Sequence, residues 1–110
     1  MNQEQRGLRF PINIAAEVMP GNAHESIPAR VMELSLRGCF LEISAPLKEQ
    51  PHLRLKIFRS GESFETSAEI LYVRATGVGV VFGEMAPQSR DVLQAWVLAA
   101  LDEQVKLEHS

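Results

Sequence analysis

Apolar and polar residues alternate along most of this chain with the two-residue period of half-buried β-strands. The alternation is cleanest where Leu53, Leu55 and Ile57 are interleaved with charged residues. Six segments show this alternation or a short apolar run, and turn residues separate them. They are Phe10–Val18, Pro28–Leu34, Cys39–Ile43, His52–Arg59, Phe64–Arg74 and Val78–Phe82. The pattern predicts a mainly β, antiparallel domain.

The fifth predicted strand departs from strict alternation. One face is expected to carry the apolar residues Phe64, Ala68, Ile70 and Tyr72, and the other the polar residues Glu65, Ser67 and Glu69. Leu71 and Val73 fall on the polar face, so we expect another element to cover them.

After the last predicted strand, the period changes to that of a helix. Pro87 suits a first helical turn, and we expect a helix over 87–105. A stripe at helical spacing is formed by Leu93, Trp96, Val97, Ala100 and Leu101. This stripe, with Trp96 in it, would pack on the strands. The order of elements predicts a six-stranded antiparallel β-barrel over 10–83 with a C-terminal amphipathic helix against it.

Length and composition predict a single globular domain over 1–110. The chain has 110 residues, of which 45% are hydrophobic and 23% charged, as in ordinary soluble domains. A net charge of −3 argues against general DNA or RNA binding. Residues 1–9 are mostly polar, unlike a secretory signal, and we expect them to be a flexible segment. The apolar stretch Val92–Leu101 is too short to span a bilayer, so we expect a cytoplasmic protein without a membrane partner.

Nothing in the sequence favours an enzyme, a metal site or a cofactor. His24, His52 and His109 are widely separated and lack metal-ligand spacing. Cys39 lies between apolar residues, which favours a buried, inert thiol over a nucleophile. We therefore do not expect an enzyme.

Two polar motifs lie beside the first strands. Gln5, Arg6 and Arg9 precede the first strand, and the run from Glu33 through Ser35 and Arg37 to Gly38 spans a predicted bend. Arginine can bond guanine O6 and N7 or grip a phosphate, and a carboxylate can accept hydrogen bonds from guanine N1 and N2. A serine hydroxyl and bend amides add neutral phosphate donors.

Each of these residues also has a purely structural interpretation. Arginines in an N-terminal segment are often only solvated, and Arg37 could extend the cationic reach or merely solubilise the bend. Ser35 could serve only to shape the bend, where Gly38 is expected to supply a backbone conformation that side chains resist. Glu33 could be solvated or could pair with Arg9 or Arg37.

These motifs and the strand order resemble the PilZ domain, a receptor module for the bacterial second messenger cyclic di-GMP. The family binds its ligand with Arg-x-x-x-Arg and Asp/Asn-x-Ser-x-x-Gly segments. Here Arg9, Ser35 and Gly38 match, but Gln5 replaces the first arginine and Glu33 replaces the Asp or Asn. The run Gly77-Val-Gly-Val-Val-Phe82, followed by Pro87, also looks like the end of a PilZ barrel.

The resemblance implies a cytoplasmic signalling module that binds cyclic di-GMP and then changes its surface for a protein partner. The implied ligand-binding residues are Gln5, Arg6, Arg9, Glu33, Ser35, Arg37 and Gly38. The alternative is a degenerate PilZ-fold adaptor that binds proteins but no nucleotide. An open concave surface shared by Arg6, Arg9, Glu33 and Ser35 would favour the receptor. An Arg9 side chain locked in a salt bridge, or a large exposed apolar patch, would favour the adaptor.

Overall fold

Six strands and one helix make up the computed structural model, which describes residues 9–21, 25–44 and 52–108, with side chains to residue 103. The elements are β1 Phe10–Pro20, β2 Ile27–Leu34, β3 Gly38–Glu42, β4 His52–Arg59, β5 Glu62–Arg74, β6 Gly77–Phe82 and α1 Pro87–Glu108. Every predicted strand is present, and the helix continues to Glu108 instead of ending at 105.

The strands close into a barrel in the order β1-β2-β3-β6-β5-β4, with every neighbouring pair antiparallel. The predicted fold class is therefore confirmed. A two-residue turn, Ser60–Gly61, joins β4 to β5 with positive φ at both residues (50° and 85°). Such turns follow the natural twist of a hairpin, so this connection sets the β4–β5 register.

The barrel interior is filled by the alternating apolar residues that the sequence pattern singles out. Six core side chains are large and almost fully buried: Val18, Val31, Leu34, Leu41, Leu55 and Ile57. Burial of these side chains from four strands supplies the main driving force for closing the sheet.

Helix α1 packs chiefly on β5 through the predicted stripe. Leu93 and Trp96 are buried, and the Trp96 indole nitrogen donates a hydrogen bond of 2.9 Å to Glu62. Trp96 therefore belongs to the core, as predicted. Leu101 does not, since it is 39% exposed. The 22-residue helix is about 33 Å long.

A register shift between Ile70 and Tyr72 alters the second half of β5. The extra residue, Leu71, reverses which face the following side chain occupies. Tyr72 pairs with Gly79 and faces outward, so its predicted place beside Ile70 is wrong. The predicted cover over Leu71 and Val73 is also wrong within the described residues, where their side chains are 62% and 73% exposed.

Candidate functional site

The bend between β2 and β3 is held together by Ser35. Its hydroxyl oxygen accepts hydrogen bonds from the backbone amides of Arg37 (3.1 Å) and Gly38 (3.2 Å). The hydroxyl donates to the Gly38 carbonyl at 3.2 Å, which also accepts from the Ser35 amide at 2.9 Å. Ser35 is 6% exposed. In this arrangement the serine shapes the bend and uses its own hydrogen-bonding capacity within it.

Gly38 is required for close packing and not for an unusual backbone conformation. The described glycines with positive φ are Gly21 and Gly61, so the predicted reason for Gly38 is wrong. A Cβ atom on Gly38 would lie 2.1 Å from the carbonyl oxygen of Val80. The glycine therefore lets the start of β3 approach β6.

Beside this bend, Arg9 joins two strands on the outside of the barrel. Its Nη1 atom lies 3.2 Å from Glu33 Oε1 and 3.3 Å from the Tyr72 hydroxyl oxygen. The ion pair is open to solvent, with side chains 47% and 49% exposed for Arg9 and Glu33. Arg9 and Glu33, predicted from separate motifs, are thus brought together across 24 residues of sequence.

Two aromatic rings and a second arginine extend this surface. Phe40 and Tyr72 stack with ring centroids 6.4 Å apart. The Arg74 guanidinium lies 4.9 Å from the centroid of the Tyr72 ring and 5.8 Å from that of Phe40. Gly79 lies beneath, where a Cβ atom would come within 2.2 Å of the Tyr72 ring. We call the surface formed by Arg9, Glu33, Phe40, Tyr72 and Arg74 the outer arginine–aromatic face.

The electrostatics of this face favour a permanently charged Arg9. The hydrogen bond to Tyr72 raises the pKa of the Arg9 guanidinium, partial burial opposes this, and Glu33 raises it further. Behind the face, burial raises the pKa of the Cys39 thiol well above its usual range. Cys39 is therefore a protonated core residue, as the sequence predicted, and takes no part in surface chemistry.

The outer arginine–aromatic face gathers only part of the predicted ligand set. Arg9 and Glu33 lie in it, with Ser35 and Gly38 in the adjoining bend. Arg37 lines a separate depression with Phe82 and Arg90. Gln5 and Arg6 lie outside the described residues.

Sequence reasoning missed Phe40, Tyr72 and Arg74. Phe40 could have been found, because it lies between the inward residues Cys39 and Leu41 and so must face outward. The outward position of Tyr72 follows from the shift between β5 and β6, which leaves no periodic signal in the sequence.

Chemically, the face offers two guanidinium groups, a carboxylate and planar aromatic surfaces. This combination suits an anionic ligand with a flat ring system. Among the described residues, no group of three His, Cys, Asp or Glu side chains could hold a metal ion. No helix in the described chain is long and apolar enough to cross a membrane.

The closed barrel and its C-terminal helix define a small β-barrel module. The PilZ domain model matches residues 3–99. The chain therefore belongs to the PilZ domain family. No curated protein matches the sequence.

Solved structures of low sequence identity share the fold. The PilZ domain of CeSA from a cellulose-synthesizing bacterium is 19% identical with a TM-score of 0.70, covering 84% of this chain and 97% of that one. The PilZ domain of YcgR from Escherichia coli, solved with c-di-GMP, is 13% identical with a TM-score of 0.71. The match covers 94% of this chain and 95% of that one.

A third similar structure belongs to a longer protein. The inhibitor of motility MotI/DgrA from Bacillus subtilis is 17% identical with a TM-score of 0.70. The match covers 90% of this chain and 50% of that protein. At these identities, the likeness to all three structures establishes the fold alone.

Proposed function

We propose that this PilZ domain is a cytoplasmic, non-enzymatic receptor that binds cyclic di-GMP on the outer arginine–aromatic face. The observation that carries the proposal is that Arg9 lies within hydrogen-bond distance of both Glu33 and Tyr72, next to the Ser35–Gly38 bend. Likeness to the c-di-GMP-bound PilZ domain of YcgR supports the same ligand.

Each group on the face has a role toward a guanine nucleotide. Arg9 would leave Glu33 to take a phosphate or the O6 and N7 atoms of guanine. The freed Glu33 carboxylate would accept hydrogen bonds from guanine N1 and N2. Tyr72 and Arg74 offer flat surfaces on which a purine can stack.

The N-terminal segment would complete the site and transmit the signal. Gln5 and Arg6 precede Arg9 in the chain by four and three residues and would contact a ligand held by Arg9. Ordering this segment over the ligand would change the exposed surface and so the affinity for a protein partner.

The adaptor alternative keeps two observations in its favour. Arg9 is ion-paired with Glu33, and Leu71 and Val73 expose apolar surface. The ion pair is nevertheless about half exposed, and such pairs contribute only about 0–1 kcal/mol. A phosphate can displace Glu33 at that cost, so the pair does not lock Arg9 and the receptor function is preferred.

Calorimetric titration with cyclic di-GMP tests the proposal. We expect binding in the micromolar range or weaker, because Gln5 stands where the family has an arginine. A charged hydrogen-bonding pair is worth about 1.5–3 kcal/mol, or roughly ten- to a hundredfold in affinity. Absence of saturable binding would make the adaptor the better description.

Gln5→Arg tests whether that position limits affinity. The variant restores the family spacing with Arg9 and should strengthen binding, whereas Gln3→Arg adds the same charge at a different spacing and should have a smaller effect. If both variants increase the affinity for cyclic di-GMP equally, the increase comes from general electrostatic attraction and not from the position of residue 5. If neither changes the titration of a folded protein, Gln5 does not limit affinity.

A further inference from the structure

On the other side of the Ser35–Gly38 bend lies a depression of about 310 Å³ between β6 and the start of α1. Its lining includes the apolar residues Leu36, Phe82 and Met85 and two arginines, Arg37 and Arg90. We call it the Arg37–Arg90 groove. We propose that this groove docks an extended segment of a partner protein in which carboxylates flank an apolar side chain.

The charge of the groove is unusual for this protein. The chain carries a net charge of −3, yet two arginines and no acidic residue line the groove in the part of the chain that the structure describes. Within that part, neither arginine lies within 4.0 Å of a carboxylate, since the ion pairs there join Arg9, Arg54 and Lys56 to glutamates. Both guanidinium groups therefore remain available to an acidic partner.

Stability of the helix does not explain Arg90. This residue lies in the first turn of α1, which contains no acidic residue. A cation there is repelled by the positive end of the helix dipole, so it is mildly unfavourable for the helix itself. The dipole and the two arginines reinforce one another in the groove, whereas Glu84 lines the adjoining depression beside Arg90. The lining of the groove itself therefore favours carboxylates.

The groove also offers apolar side chains that could anchor a partner. Leu36 projects from the bend and is 49% exposed, beside the partly buried Phe82 and Met85. The walls are fixed by backbone hydrogen bonds, from the Phe82 amide to the Arg37 carbonyl (2.8 Å) and from the Arg90 amide to the Ala86 carbonyl (3.0 Å). A preorganised depression lined by apolar side chains and two cations matches acidic, apolar and acidic side chains at alternate positions of an extended strand, because alternate positions share one face.

This inference goes beyond cyclic di-GMP binding and does not depend on it. Arg37 belongs to the predicted ligand set, but Leu36 and Arg90 do not. Variants at these two positions therefore separate the groove from the nucleotide site: they should alter peptide binding and leave the cyclic di-GMP titration unchanged.

The probe is a synthetic peptide with glutamate, leucine and glutamate at alternate positions in a serine–glycine background. Its control has lysine in place of glutamate. Backbone amide chemical shifts of the isotope-labelled full chain report where each peptide binds. We expect saturable shifts at Leu36, Gly83 and Arg90 with the acidic peptide, and none with the basic one.

Matched variants give the decisive comparison. Arg90→Gln and Leu36→Ser should weaken acidic-peptide binding roughly fivefold or more. Arg54→Gln removes an equal charge elsewhere, and Leu98→Ser removes another exposed leucine, 64% exposed, from the helix. Neither variant should change acidic-peptide binding. Loss in all four variants, or no saturable shift at millimolar peptide, would overturn the proposal. Concentration-dependent shifts of the same amides without peptide would also overturn it, because they would make a second copy of this chain the occupant.

Discussion

At the scale of single residues, Arg9 connects the two sequence motifs. It was singled out as a ligand residue, and in the structure it bridges Glu33 on β2 and Tyr72 on β5. Because the pair is half exposed, its contribution to folding should be small. Its position between a carboxylate and an aromatic ring gives it the geometry for a ligand role.

Arg9→Ala should abolish cyclic di-GMP binding and leave stability nearly unchanged. Surface substitutions of this kind shift the free energy of unfolding by less than about 0.5 kcal/mol. Calorimetry and thermal melting on the same sample measure both effects. Arg54→Ala is the control, since Arg54 is also an exposed, ion-paired arginine but lies away from the face. A large drop in melting temperature for Arg9→Ala would make it a structural residue and remove the proposed site.

At the scale of elements, close approach between strands explains two glycines in different ways. Gly38 faces a backbone carbonyl of β6, which cannot move without disturbing the barrel. Gly79 faces the ring of Tyr72, which can rotate away. The same substitution should therefore have different consequences at the two positions.

Gly38→Ala should destabilise the fold by about 1–3 kcal/mol or more, because the new methyl group forces β3 away from β6. Gly79→Ala should cost less but displace Tyr72 from Arg9 and weaken cyclic di-GMP binding. Urea denaturation and ligand titration of both variants test this. Equal destabilisation by the two variants would show that the Tyr72 ring cannot move.

Packing of α1 on the barrel gives a second prediction at this scale. Leu93→Ala should lower the free energy of unfolding by about 2–5 kcal/mol, because Leu93 is fully buried under the helix. Leu98→Ala is its control on the same helix, since Leu98 is 64% exposed. It should change stability by no more than about 0.5 kcal/mol. If chemical denaturation shows that both variants lose a similar amount of unfolding free energy, Leu98 is covered in solution.

At the scale of the whole molecule, the closed barrel protects its interior from reagents. Each described strand pairs on both sides, so no edge opens readily. Cys39 lies on β3, between β2 and β6, and is 7% exposed. Its thiol should become reactive only when the barrel opens.

Labelling of Cys39 by a thiol reagent should therefore report global unfolding. We expect the free energy of opening, calculated from the labelling rate, to fall with urea concentration as steeply as the equilibrium free energy of unfolding. Unfolded protein should react without delay. Because Cys39 is the single cysteine of the chain, the signal has one source. A slope well below the equilibrium value would instead reveal local opening of β3.

By itself, the sequence determined the six strands, the helix and the barrel, because strand and helix periods are local patterns that burial enforces. It also predicted Arg9 and Glu33 as candidate ligand residues, although their contact depends on pairing β1 with β2. Only the tertiary structure decided the face of Tyr72, which follows from a one-residue shift between β5 and β6, and a shift in pairing belongs to two strands at once. It also decided the exposure of Leu71 and Val73, because no described element packs over them. The role of Gly38 was likewise hidden, since it depends on how closely β6 approaches.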